Sequence, residues 1–333
     1  MHAAVLQVIG KPPRFEEFPE PTPGEGEVVV HVCAAALKPV DKQLAAGKHF
    51  ASPRVLPFVC GSDGVGYLED GTRVFFGGPR RPYGAMAERT VVRRAQCFPV
   101  PEDVDDDTAA AIPNPGVSAW LSLSHSAKLA SGETVLILGA TGVAGKLALQ
   151  IAKILGAGRV VAAGRNEQVL STLQELGADA TIRLDKVDQE LIEDFRREAG
   201  QKRFDVIIDY LWGRPTEALL TAITSAEFAV SGSETRLVEV GESAGPTITL
   251  PAAVLRSTAL TILGTAGIPP WDVLTDAFRQ VMNRVARGEL RIETERVPLA
   301  EIEHAWERNA HARRLVVIPE RATVLIRTEQ ASR

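Results

Sequence analysis

The stretch that most constrains this chain is Thr134-Val-Leu-Ile-Leu-Gly139-Ala-Thr-Gly142-Val-Ala-Gly145, which runs directly into Lys146-Leu-Ala-Leu-Gln-Ile-Ala-Lys-Ile-Leu155. The apolar run 135–138 reads as a strand buried on both faces, and the glycines at three-residue spacing read as a tight turn. Leu147, Ala148, Ile151, Ala152 and Leu155 recur as one face of a helix. Strand, glycine turn and helix in this order bring bare backbone N–H groups and the positive end of a helix dipole to one point. A pyrophosphate can sit there. The expected contacts are Gly139, Ala140, Thr141, Gly142, Val143 and Gly145. A nucleotide-hydrolase phosphate loop is excluded, because Ala140 replaces its first glycine and Leu147 replaces the hydroxyl that would hold Mg²⁺.

From residue 134 onward apolar runs alternate with helical patterns. Further strands are expected at 159–163, 180–183, 204–209, 237–240 and 260–263, with helices at 167–176 and 189–198. Six short strands joined by helices imply a parallel, doubly wound sheet. Residues 1–100 differ: short β-like runs at 28–32, 54–59, 73–76 and 88–92 are broken by Gly and Pro, with one short helix at 41–47. That pattern predicts a strand-rich unit, a partly closed barrel. The acidic run 102–107 precedes a helix-forming stretch and reads as capping; a calcium loop lacks its glycine and closing glutamate. After 264 a helix at 273–286, a strand at 291–297, a helix at 300–308 and strands at 315–318 and 323–327 are expected.

The 333 residues suffice for two domains. A net charge of −5 with no basic cluster argues against a nucleic-acid surface, and no apolar run reaches membrane-spanning length. The first residues, apolar until Lys11-Pro12-Pro13, are expected to form a strand and not a secretory leader. Cys33, Cys60 and Cys97 are odd in number and far apart, so a disulfide framework is not expected and a reducing cytoplasm is.

The second strand of the alternating half decides the cofactor. In NAD-binding sheets it usually ends in Asp or Glu, which holds the adenosine ribose. Here it ends Ala163-Gly164-Arg165-Asn166. Gly164 leaves room for a 2′-phosphate and Arg165 can pair with one, so NADPH is expected in preference to NADH. Asn166 lies in the same turn, and Arg183, at the end of the next strand, is a second candidate for that phosphate. Val240 and Gly241 end the fifth strand, where the nicotinamide is expected.

With these pieces in order, the chain resembles the medium-chain dehydrogenase/reductase family, in particular its zinc-independent quinone oxidoreductase branch. The resemblance runs from Met1 to about Ile318 and is carried by Leu37-Lys-Pro-Val-Asp41, Leu56-Pro-Phe-Val-Cys-Gly-Ser-Asp-Gly-Val-Gly66 and Gly84-Ala-Met-Ala-Glu88. Pro115-Gly-Val-Ser-Ala-Trp120, the glycine turn, Phe204-Asp-Val-Ile-Ile-Asp209 and Glu303-His-Ala-Trp306 extend it. The resemblance implies an α/β chain with a GroES-like, β-rich catalytic domain (1–113 and 265–333) and an inserted Rossmann NADPH-binding domain (114–264). It also implies a cytoplasmic homodimer that contacts itself through the sixth strand. Zinc-dependent relatives carry Cys where Lys38 stands and Gly-His-Glu where Gly61-Ser62-Asp63 stands, so no zinc is expected. The implied reaction is hydride delivery to a quinone or an α,β-unsaturated carbonyl. Lys38, His49 and Asp63 are the candidate catalytic residues, Lys38 and His49 as donors to a substrate oxygen. A plainer role has Lys38 paired with Asp41 or Asp63 and His49 on a surface loop. The alternative function is a non-catalytic NADPH-binding or redox-sensing relative of the same fold.

Three other patterns carry no chemistry. Gly241-Glu-Ser243-Ala-Gly245 matches an esterase elbow, but the extended Pro246-Thr-Ile-Thr-Leu250 follows where a helix is required. A short-chain reductase needs Tyr-x-x-x-Lys, and neither Tyr67, Tyr83 nor Tyr210 has Lys four residues on. His304 and His311 would share a helix face but lack a third ligand.

Overall fold

The computed structural model describes residues 1–200, 203–224, 234–265, 269–308 and 313–320. The expected strand 323–327 and His311 lie outside them. Two compact units emerge, Asn114–Val281 and the combination of Met1–Pro113 with Met282–Arg333.

In Asn114–Val281 the strands Thr134–Leu138, Arg159–Gly164, Ala180–Arg183, Val206–Asp209, Thr235–Glu239 and Leu260–Gly264 form one parallel sheet. Their spatial order, numbered along this unit, is third, second, first, fourth, fifth, sixth. The first strand is therefore central: Ile137 faces Ala162 on one side and Ile208 on the other. Burial on both faces explains the unbroken apolar run, and Leu136, Ile137 and Leu138 are all fully buried. Helices Val143–Ile154, Asp188–Ala199 and Arg214–Ile223 provide crossovers. Because all six strands point the same way, the residues that follow Leu138, Gly164, Asp209 and Glu239 share one edge of the sheet. That edge is where doubly wound sheets bind ligands, at the point where the strand order reverses.

The other unit is antiparallel in the main. Strand Glu27–Ala36 pairs with Asp63–Leu68, with Arg89–Arg93 and, from the far end of the chain, with Arg314–Ile318. A second sheet sets His2–Leu6 between Arg14–Glu17 and Phe58–Val59. Leu6, Val30, Phe76, Met86, Ile302 and Val317 belong to one core, so residues from both chain ends fill it. The extended run at 54–59 shortens to Phe58–Val59, because Pro53 and Pro57 cannot donate to a ladder. The acidic run behaves as capping, and more: Asp105 accepts from the Thr108 amide at 2.9 Å, while Asp106 and Asp107 hold Arg73 and Arg296. Among the described residues no helix is long and apolar enough to cross a membrane.

Candidate functional site

At Gly139 and Gly145 the turn is built by backbone geometry that leaves no place for a side chain. Gly139 has φ of +88°, a left-handed conformation, and the Gly139 and Ala140 amides both donate to the Ala163 carbonyl at 2.9 Å. Gly142 is the N-cap of helix Val143–Ile154; no side chain caps it and no acid occupies the first turn. The first-turn amides therefore have neither an intrahelical acceptor nor a cap, which fits an anion. Gly145 lets the helix close on the turn, since a Cβ there would stand 2.3 Å from the Gly139 carbonyl oxygen. These residues fit a dinucleotide pyrophosphate.

At the end of the second strand the reason for glycine differs from the expected one. A Cβ on Gly164 would meet the Thr141 methyl at 2.4 Å, so Thr141 occupies the space that Gly164 leaves. Asn166 spends its side chain as a cap, accepting from the Val169 amide at 3.1 Å. The two arginines separate cleanly. Arg165 is exposed and has no hydrogen-bond or ion-pair partner among the described residues. Arg183 is held by Asp185 on two nitrogens, at 3.0 and 2.6 Å, and by Glu167 at 2.9 Å.

Asp209 organises the turn after the fourth strand. It is fully buried; Oδ1 accepts from the amides of Leu211 (2.8 Å) and Trp212 (2.9 Å), and Oδ2 accepts from the Thr216 hydroxyl (2.5 Å). Burial pushes its pKa up against the pull of these three donors. The turn carries Trp212 at φ of +54°, a strained backbone for a bulky residue, and it packs under the glycine turn: a Cβ on Gly139 would touch Leu211 and Tyr210. Val240 and Gly241 lie just past the fifth strand, and both their amides donate to the Asp209 carbonyl, at 2.8 and 3.2 Å. Ser243 donates its hydroxyl to the Tyr210 carbonyl at 2.9 Å and no helix follows it, so there is no esterase elbow.

In the other unit Lys38 and Asp63 come together. Lys38 is the N-cap of helix Pro39–Ala45 and is 1% exposed; its ammonium donates to Asp63 and lies 3.7 Å from Asp41. Asp41 also accepts from the Lys38 amide (3.0 Å) and from the amide and hydroxyl of Ser62 (3.0 and 2.9 Å). Arg314, buried, donates to the Leu37 carbonyl at 3.1 Å, and its charge acts on both carboxylates. Desolvation raises the Asp63 pKa, Lys38 opposes it, and Asp41 adds to it. His49 has its described contacts in its own loop: Nδ1 accepts from the Ala51 amide at 3.1 Å and the ring lies 4.2 Å from that of Phe50. Among the described residues no group of three or more His, Cys, Asp or Glu side chains is disposed to hold a metal ion.

Sequence reasoning overlooked the roles of Asp209, Ser62 and Arg314. Asp209 carried a signal, a lone carboxylate closing an apolar strand. Arg314 carried none, because its place beside Leu37 spans 277 residues of chain.

A parallel sheet in this order, with an uncapped glycine turn at the strand-order reversal, defines a Rossmann-type α/β protein. Comparison narrows the class. A family model for zinc-binding dehydrogenases matches residues 144–287. Quinone oxidoreductase of Sus scrofa is 34% identical over 205 residues, covering 57% of this chain and 59% of that protein. The NADPH-dependent alkenal/one oxidoreductase of Arabidopsis thaliana is 30% identical over 203 residues, covering 56% and 50%. The chain thus spans between 50% and 59% of the length of these curated relatives. The solved quinone oxidoreductase of Thermus thermophilus, known also in complex with NADPH, superposes with a TM-score of 0.78 at 28% identity, covering 96% of this chain and 100% of that one. The chain is thus similar to quinone oxidoreductases of the medium-chain dehydrogenase/reductase type. The matched family model does not extend to Lys38 or Asp63.

Proposed function

We propose that this protein is an NADPH-dependent oxidoreductase that passes hydride, without zinc, to a quinone or an α,β-unsaturated carbonyl. The observation that carries the reading is Arg165: an exposed guanidinium, unpartnered among the described residues, after a second strand that ends in glycine and not in a carboxylate. An acid there would repel a 2′-phosphate; a guanidinium attracts one. The names of the pig and Arabidopsis relatives supply the acceptor class.

Bound NADPH would supply the hydride. The protein's residues do the rest. Amides at the start of helix Val143–Ile154 would hold the pyrophosphate, and Arg165 would hold the 2′-phosphate. Val240 and Gly241, fixed on the Asp209 carbonyl, would flank the nicotinamide. His49 is a hydrogen-bond donor to the substrate oxygen through Nε2, because its Nδ1 accepts from the Ala51 amide, and water supplies the proton. Lys38 and Asp63 act as a fixed charge pair. Zinc independence rests on donor chemistry, since an ammonium stands where a thiolate is required. The setting we propose is cytoplasmic, in keeping with three free thiols, and the assembly a homodimer through the edge strand Leu260–Gly264.

The burial of Lys38 favours one competing reading, an NADPH-binding or redox-sensing protein without efficient turnover. Stopped-flow oxidation of bound NADPH by a panel of quinones and enones separates the two. Saturable oxidation by at least one acceptor is expected. Tight NADPH binding with no acceptor-dependent oxidation would establish the competitor, and tighter binding of NADH would overturn the cofactor assignment.

A further inference from the structure

A groove of about 910 Å³ on Met1–Pro113 is lined by none of Lys38, His49 and Asp63. Phe18, Leu56 and Phe58 line it, and Phe50 and Val55 stand on it while 95% and 76% exposed. Side chains of this kind are rarely left open on a soluble surface without a ligand or partner to cover them. The volume is that of a small-molecule site.

Its charges are unbalanced. Arg54 lines the groove with no partner among the described residues. Arg81 lies 5.8 Å over the Phe58 ring and, among the described residues, donates only to the neutral carbonyls of Ala51 and Ser52, which leave its charge uncompensated. Glu17 is the single acid in the lining. Two guanidiniums and one carboxylate around an apolar trough select an occupant that is apolar along its length and carries one negative charge. We propose that the groove binds a small amphipathic monoanion, an alkyl or aryl carboxylate. Its chain lies on Phe18, Phe58 and Val55 and its carboxylate meets Arg54 and Arg81. Because the Phe50 ring lies 4.2 Å from that of His49, occupancy also reaches the loop that carries His49.

Calorimetric titration of the full-length protein with dodecanoate, and separately with dodecyltrimethylammonium, tests this. Dodecanoate should bind with one-to-one stoichiometry and at least about tenfold more tightly than the cation of equal length. Arg54→Gln should remove that preference, and Val55→Ser should weaken dodecanoate by about tenfold. Both side chains are exposed, and circular dichroism confirms that each variant is folded. Equal affinity for both amphiphiles, no binding, or binding indifferent to both substitutions overturns the proposal. None of these outcomes depends on NADPH turnover.

Discussion

The ammonium of Lys38 rests on the carboxylate of Asp63 where neither side chain is more than 8% exposed. Burial and the neighbouring Asp41 both push the Asp63 pKa up; the attraction of Lys38, and behind it that of Arg314, opposes them. Such a pair is worth little compared with an apolar substitute, yet removing one partner strands the other charge.

That asymmetry gives the first prediction. Lys38→Met should cost about 3–5 kcal/mol, because Asp63 is left without its closest cation. The double variant Lys38→Met with Asp63→Leu should regain most of that loss, since Asp41 and Arg314 still balance. Urea unfolding of wild type, both single variants and the double measures the coupling. A Lys38→Met protein as stable as wild type would contradict the account.

Arg165 and Arg183 should part company in cofactor binding. Removing a charge-assisted contact to phosphate costs about 1.5–3 kcal/mol, so Arg165→Ala should raise the Kd for NADPH by about 10- to 100-fold and leave NADH unchanged. Arg183→Ala should do less, because Glu167 and Asp185 already saturate that guanidinium. Calorimetry with both dinucleotides decides it; an Arg183→Ala loss equal to that of Arg165→Ala would reassign the 2′-phosphate.

The parallel-sheet half was legible because its signals are local. An apolar strand, a glycine turn and an amphipathic helix lie within about 20 residues, and each repeats the rule for a buried parallel strand. Gly164 was legible as a necessary glycine but not for its reason, since contact with Thr141 depends on two loops meeting. The charged cluster was only half readable. Lys38 and Asp41 share one helical turn, but Asp63 joins through strand pairing 25 residues on and Arg314 through a strand from the far end of the chain. No periodicity records such a meeting. The run 54–59 misled because its composition suits a strand while its prolines forbid the ladder.

Two glycines of the turn should respond differently to one methyl group. At Gly145 a Cβ would stand 2.3 Å from the Gly139 oxygen and 2.6 Å from the Ala140 Cα, backbone atoms that cannot step aside. At Gly142 the nearest atom is the same oxygen at 3.4 Å, and φ is −82°. Gly145→Ala should therefore abolish measurable NADPH binding and lower Tm, whereas Gly142→Ala should keep the Tm near wild type. Equal Tm losses would show that the helix–turn contact does not set the spacing.

Asp209 supplies a pH-dependent prediction whose sign is fixed by burial. Its folded-state pKa is raised above the unfolded value, mainly by desolvation, with the Thr216 hydroxyl and the Trp212 and Leu211 amides pulling the other way. A raised carboxylate contributes stability that is fully present below its unfolded pKa, near about 4, and is lost as pH rises through the folded value. Asparagine keeps an acceptor for both amides and does not titrate. The stability of wild type relative to Asp209→Asn should therefore fall as pH rises from about 4 toward neutrality. Carboxylates with lowered pKa values, such as Asp179 and Asp194, contribute the opposite trend to both proteins and cancel in the difference. Urea midpoints for the two proteins across this range measure it. A difference that grows with pH would mean that the three donors outweigh burial, making the ionised Asp209 the form that the turn after the fourth strand prefers.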